Sequence, residues 1–210
     1  VSASEIAALR AALRAGGLAL LPTDTVYGLA AALDSPGGVA ALYALKGRPR
    51  AQPCQVLLLA PALLEAALAP LDEATRRAAR ALLPGPATCL VADPVHRYAP
   101  AAGEEAGSVG LRAPRMGGPL AALDLPLVAT SANDPGGRDP AAIDEVPARI
   151  RAAAVCEVDA GRLPGVASAV VDLRPLAAGG PARLLRPGAD PEAVAAALAG
   201  AGADLRREGP

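Results

Sequence analysis

Polar side chains stand at the ends of apolar runs in this sequence, and their types point to one kind of chemistry. Thr23, Asp24 and Thr25 follow "LALLP". Lys46 and Arg48 follow "ALYAL", Ser108 and Arg112 stand in "SVGLRAP", and Ser131 and Asn133 follow "LPLVAT". Ser168 precedes "AVVDL", and Arg186 follows "RLL". In sheet domains, ligands commonly sit where strand ends and loops converge. Cations, hydroxyls and one amide gathered there suit an anionic, oxygen-rich ligand. Each also has a plainer reading: an arginine in a surface ion pair, a serine opening a strand, "PTDT" closing an Asx- or ST-turn.

Two of these residues are singular. Lys46 is the only lysine among 20 Lys+Arg, and Asn133 is the only asparagine. A composition skewed to Ala, Gly, Pro and Arg explains the scarcity but not the exceptions. A cation that merely neutralised a helix C-terminus would be served equally well by arginine. Position 46 therefore calls for an ammonium, a compact charge with three rotatable donors.

The elements that must position these groups are legible from local signals. Ser2 and Glu5 form an S-x-x-E capping box for a helix that ends at Gly16-Gly17. "SPGGVAALYAL" reads as a helix ending near Lys46, with Gly47 and Pro49 as stop signals. "APALLEAALA", "DEATRRAARALL" and "DPEAVAAALAGAG" are further helices, and "AAIDEVPARIRAAA" is helical with a break near Pro147. "LALL", "QVLLLA", "ATCLVA", "SVGLRAP", "LPLVATSAN", "VCEVDAG", "SAVVDL" and "ARLLRPG" read as strands. Strands and helices intermix, and many strand runs are continuously apolar. The expected fold is α/β or α+β, a sheet covered by helices. The expected domain spans residues 1–200, with a frayed tail at 201–210 and a mobile loop, a candidate lid, at 99–107.

Composition narrows the function classes. The 210 residues suit one domain, and a net charge of −1 gives no global pull toward nucleic acid or anionic membrane. No run approaches the ~20 apolar residues of a membrane span. The charged N-terminal pattern does not read as a signal peptide, so a cytoplasmic protein is expected. His96 is the only histidine; a His-based zinc site is excluded, and a Ser-His-Asp triad would have to use His96. Cys54, Cys89 and Cys156 form no CxxC and read as small buried hydrophobes. Neither a phosphate-binding P-loop nor a G-x-G-x-x-G fingerprint is present. A nucleotide would have to be held by discrete side chains.

The stretches "LPTDTVYGLA", "LKGRP", "PGPATCLV", "SVGLRAP", "TSAN", "SAVVDL" and "LLRPG" occur in the order found in the YrdC/TsaC family of threonylcarbamoyl-AMP synthases. The chain resembles that family from about Leu18 to Gly188. The resemblance implies an open, twisted, parallel or mixed sheet flanked by helices, with a large concave site. It implies synthesis of threonylcarbamoyl-AMP from L-threonine, bicarbonate and ATP, with Mg²⁺ on the triphosphate. The product would pass to the machinery that modifies tRNA, and a weak RNA contact would be compatible with that. By similarity, the K-x-R and S-x-N signature falls on Lys46, Arg48, Ser131 and Asn133 as the catalytic set, with Lys46 near the reacting phosphate or carbamate. Thr25, Arg112, Ser131 and Ser168 would contact threonine; Arg48, Gln52, Ser108, Asn133 and Arg186 would contact ATP. The chain departs from the pattern in three places: Gln52 precedes Pro53 where many members have Asn, Leu57 stands where some have a histidine, and Ala169 stands where Thr is usual. A carbamoyl-adenylate-forming relative and an RNA-binding module of the same fold are the alternatives. The aromatic residues available for base stacking, Tyr27, Tyr43 and Tyr98, are too few to favour the latter.

Overall fold

The computed structural model describes residues 2–104 and 107–207. In chain order the elements are α1 (Ala3–Arg14), β1 (Leu18–Leu21), β2 (Gly28–Ala32), α2 (Pro36–Leu45), β3 (Gln55–Leu57), α3 (Pro61–Leu68) and α4 (Glu73–Leu82). There follow β4 (Ala87–Ala92), α5 (Ala99–Ala102), β5 (Ser108–Arg112), β6 (Leu127–Ser131), α6 (Ala148–Ala153) and β7 (Ala154–Glu157). The last are β8 (Ala169–Asp172), β9 (Ala182–Arg186), α7 (Pro191–Gly200) and β10 (Leu205–Arg207). The strands form one sheet in the order β10-β9-β8-β4-β5-β3-β6-β2-β1-β7. It is mixed: β1/β7, β3/β5, β4/β8 and β9/β10 are parallel pairs, and the others are antiparallel.

Side chains alternate between the faces of a strand, and here the two faces have different coverings. Leu18, Leu20, Leu29, Val56, Cys89, Leu111, Val128 and Val171 point into a large core closed by α2, α3, α4 and α7. Ala19, Leu21, Ala30, Leu57 and Leu127 point the other way, into a smaller core under Ile6, Leu9 and Leu13 of α1 and the segment around Leu120–Leu125. That smaller core covers the β1-β2-β6 end and reaches Leu57 of β3. Past it, from Gln55 of β3 across β5, β4, β8 and β9, the same face is left open. The apolar runs of β1, β2 and β6 look continuous because both of their faces are buried. The open half of one face is where a ligand can enter.

The helix signals are realised. Ser2 and Glu5 make the reciprocal capping box on α1. Ser35 caps α2 at its start, and Gly47 follows Lys46 in a left-handed conformation, φ +56°, that terminates it. Two expectations are corrected. Leu205–Arg207, expected to fray, pair in parallel with β9, and Leu205 packs against the main core. The sheet therefore runs past residue 200. The expected mobile loop begins with the short helix α5, whose Ala101 and Ala102 are buried. The backbone of Gly103 then packs so closely on Ala51 that a Cβ would lie 2.4 Å from its carbonyl oxygen. Glu105 and Ala106, within the same stretch, lie outside the described residues.

Candidate active site

The open half-face forms the floor of a cavity of about 650 Å³. Its floor residues follow the two-residue period: Ser108, Gly110 and Arg112 on β5, Thr88 and Leu90 on β4, Gln55 on β3, Ala129 and Ser131 on β6. Thr25, Arg48, Ser168 and Arg186 line the same space. The fold thus brings together seven of the expected residues: Thr25, Arg48, Ser108, Arg112, Ser131, Ser168 and Arg186. Lys46, Gln52 and Asn133 line an adjoining cleft of about 230 Å³ instead, joined to the cavity through Arg48, Thr130 and Ser131.

Arg112 is 1% exposed and heavily bonded. Nη1 donates to the carbonyls of Gly85 and Ala87, and Nη2 donates to Oδ1 of Asp24 and, at 3.3 Å, to Oγ1 of Thr25. Oδ2 of Asp24 accepts from the backbone N–H of Arg115 at 2.9 Å. Burial pulls the guanidinium's pKa down, while Asp24 pulls it back up. Both terminal nitrogens of Arg112 are engaged within the protein while the side chain lines the cavity. Thr23 sits behind this group in an ST-turn. Its Oγ1 accepts from the N–H groups of Thr25 and Val26 and lies 2.9 Å from Thr25 Oγ1. The turn reading of "PTDT" is realised, and Thr23 and Thr25 line the cavity.

A second polar chain crosses the floor. Arg186 Nε donates to the Ser168 carbonyl at 2.8 Å, and its Nη2 to the Ser168 hydroxyl at 3.2 Å. The hydroxyls of Ser168 and Thr88 are 2.9 Å apart, and Thr88 donates to Oε1 of Gln55 at 3.0 Å. Thr88 stands directly opposite Arg112 in the sheet register.

Lys46 resolves its oddity of composition. It follows α2 and is 4% exposed. Nζ donates to the carbonyl of Ser131 at 2.9 Å, to Oδ1 of Asn133 at 2.8 Å and to the carbonyl of Asn133. Three acceptors converge on one nitrogen, and an ammonium has three donors to give; a planar guanidinium is too broad for that cluster. Burial, with Arg48 and Arg149 nearby, brings its pKa down to about 8. The amine thus bonds the loop at the wall of the cleft. Asn133 is equally committed. Its Oδ1 also accepts from Ser131 Oγ at 2.8 Å, and its Nδ2 donates to Gly137 and Asp139. Arg149 of α6 braces the outside, donating to the Leu45 carbonyl and to Asp134. Arg48 stands between cavity and cleft, donating to Thr130 Oγ1 and to the Pro53 carbonyl.

The departures from the family pattern separate cleanly. Leu57 is 1% exposed in the smaller core and does not line the cavity. Ala169 faces the main core. Sequence reasoning noted Asp24 without giving it a role, and it missed Gln55 and Thr88. Thr88 and Gln55 carried a signal, being the polar residues inside apolar strands. Among the described residues no group of three His, Cys, Asp or Glu side chains could hold a metal ion, and no helix is long and apolar enough to cross a membrane.

A protein-family model for Sua5, YciO and YrdC, described as telomere recombination, matches residues 11–188. The chain belongs to the Sua5/YciO/YrdC family. One relative of this family, from Mycobacterium leprae, is 35% identical over 180 residues, covering 80% of this chain and 77% of its own. A threonylcarbamoyl-AMP synthase of Pyrococcus abyssi is 31% identical over 186 residues, 85% of this chain; the chain spans 52% of that protein. The crystal structure of P. abyssi Sua5 complexed with L-threonine superposes with a TM-score of 0.80 at 26% identity, over 98% of this chain and 60% of that one. The sheet flanked by helices is the family's fold.

Proposed function

We propose that this chain is an L-threonylcarbamoyladenylate synthase, joining L-threonine, bicarbonate and ATP with release of pyrophosphate. The observation that carries this reading is the single open half-face. It gathers Arg48, Arg112 and Arg186 with the hydroxyls of Thr25, Ser108, Ser131 and Ser168 in one cavity. The relatives' names and the threonine complex of P. abyssi Sua5 support the same reading.

In this reading the threonine amine adds to carbon dioxide derived from bicarbonate and loses a proton, giving an N-carboxylate. An oxygen of that anion attacks the α-phosphorus, the bond to the β-phosphate oxygen breaks, and pyrophosphate leaves. Two anions must meet, so the protein's part is positioning and charge neutralisation. Arg48, Arg174 and Arg186 line the same cavity as Arg112, and in this reading Arg48 and Arg186 serve the phosphates. Arg112, already paired with Asp24, sets the position of Thr25 on the amino-acid side. Lys46 holds Ser131 and Asn133 at the wall instead of touching the reacting atoms. Mg²⁺ would enter with the triphosphate; the acidic side chains on the cavity wall are Glu104 and Asp139. The product would pass to the tRNA-modifying machinery. The test is pyrophosphate release that requires threonine, bicarbonate and ATP together; release without threonine would refute the proposal.

A further inference from the structure

The polar chain on the cavity floor has a direction. Arg186 can only donate, and it donates to Ser168. Thr88 has one hydroxyl proton, and it goes to Oε1 of Gln55. The 2.9 Å contact between Ser168 and Thr88 must therefore carry the proton of Ser168. The order runs Arg186, Ser168, Thr88, Gln55; the amide accepts through Oε1, and Nε2 is its free end. Among the described residues Nε2 has no hydrogen-bond partner, and Gln55 lines the cavity.

The residues that flank the amide in the sheet are small. In register, Gln55 lies between Gly110 on β5 and Ala129 on β6, so the cross-strand side chains are a hydrogen and a methyl. Arg112 stands two residues along β5 from Gly110, opposite Thr88. The cationic groups around this spot suit carboxylate and phosphate. The amide of Gln55 is neutral and suits a neutral acceptor.

We propose that Gln55 reads the side-chain hydroxyl of the amino-acid substrate and so determines specificity for threonine over its hydroxyl-free isostere. The inference rests on the reading of this cavity as the amino-acid site. With threonine, Nε2 donates to the hydroxyl oxygen. With valine it meets a methyl and loses its water without replacement. Sites built to bond a hydroxyl reject the analogue that lacks it for this reason.

The experiment is calorimetric titration of the full chain with threonine and with valine, which reads binding without turnover. The wild type should prefer threonine by roughly 10–10²-fold, the cost of leaving one buried donor unpaired. Gln55→Leu should lower that preference at least about tenfold, through threonine affinity, with ATP affinity unchanged. Gln55→Glu keeps the shape, replaces the donor by an acceptor, and should lose the preference too, which guards against a leucine variant that folds poorly. Thr88→Val should move the preference the same way, because the amide loses its orientation. An unchanged preference in Gln55→Glu, or a wild type that binds valine as well as threonine, overturns the inference. The two readings fail separately. A wild type that prefers threonine but makes no adenylate removes the proposed function, and an active synthase with unchanged preference in the variants removes only the role of Gln55.

Discussion

The chain's only lysine holds its only asparagine: Lys46 Nζ lies 2.8 Å from Oδ1 of Asn133 and 2.9 Å from the carbonyl of Ser131. This contact ties the end of a helix to the loop that walls the site. A helix end that only needed a positive charge would not specify lysine. A cluster of three acceptors around one buried nitrogen does.

Lys46→Met should leave those acceptors without donors. We expect a loss of about 2 kcal/mol in stability, and turnover lower by roughly 10²-fold as Ser131 and Asn133 shift. Lys46→Arg should fail in the same direction although it keeps the charge. Steady-state kinetics and thermal melts check both, and wild-type turnover in Lys46→Arg would contradict the account.

The pH dependence follows from the same amine. Its pKa is lowered from 10.5 to about 8, first by burial, then by Arg48 and Arg149, against Asp134 and Asp139. Above about pH 8 the neutral amine has one donor too few for its three acceptors. The KM for ATP should therefore rise through an alkaline limb near that pH. Stability carries the opposite sign. Between about 8 and 10.5 the unfolded chain binds the proton and the folded chain does not, so this group makes folding more favourable as pH rises through that window. An ATP KM that stays flat from pH 7 to 9.5 would contradict the role given to Lys46.

Asp24→Asn removes the counter-charge of a guanidinium that is 1% exposed. Asn can still accept one hydrogen bond, so the expected cost is about 2 kcal/mol, short of the full ~3–5 for stripping a buried pair. At this chain length that lowers the melting temperature by roughly 4–8 °C. An unchanged melting temperature would show that the carbonyls of Gly85 and Ala87 suffice for Arg112.

Gly110→Val tests where the site is. Gly110 sits on the cavity floor in an extended strand, and a Cβ there would meet Thr88 Cγ2 at 3.2 Å and Leu90 Cδ2 at 3.4 Å. Valine suits a strand, but Thr88 and Leu90 must give way, so the expected cost is about 1–3 kcal/mol with the fold retained. The isopropyl group would fill space meant for substrate, and threonine binding should fall at least about tenfold. A folded variant with normal binding would place the site elsewhere.

Much of this was readable in the sequence because its signals are local. The Ser2–Glu5 box, the Gly47 stop after Lys46 and the period of the apolar helices each act within one turn. The residues at strand ends, from Thr25 to Arg186, were recognisable as a set because strand ends converge in such sheets. What stayed hidden depends on register between distant strands. Nothing near Thr88 announces that it stands opposite Arg112, and nothing near Gln55 shows that Gly110 and Ala129 flank it. Nothing near Leu57 shows that it belongs to the smaller core. The strand at Leu205–Arg207 was invisible because its pairing partner supplies most of the reason for it to form. Lys46 could be singled out from rarity, but its target required the loop to be seen.

The central claim is tested most directly by incubating the purified chain with ATP, Mg²⁺, bicarbonate and isotopically labelled threonine, and identifying the product by mass. The account predicts a threonylcarbamoyl adenylate that carries the label, formed one for one with pyrophosphate and only when all three substrates are present. Pyrophosphate without a labelled adenylate, or an adenylate that forms equally well without threonine, would contradict it.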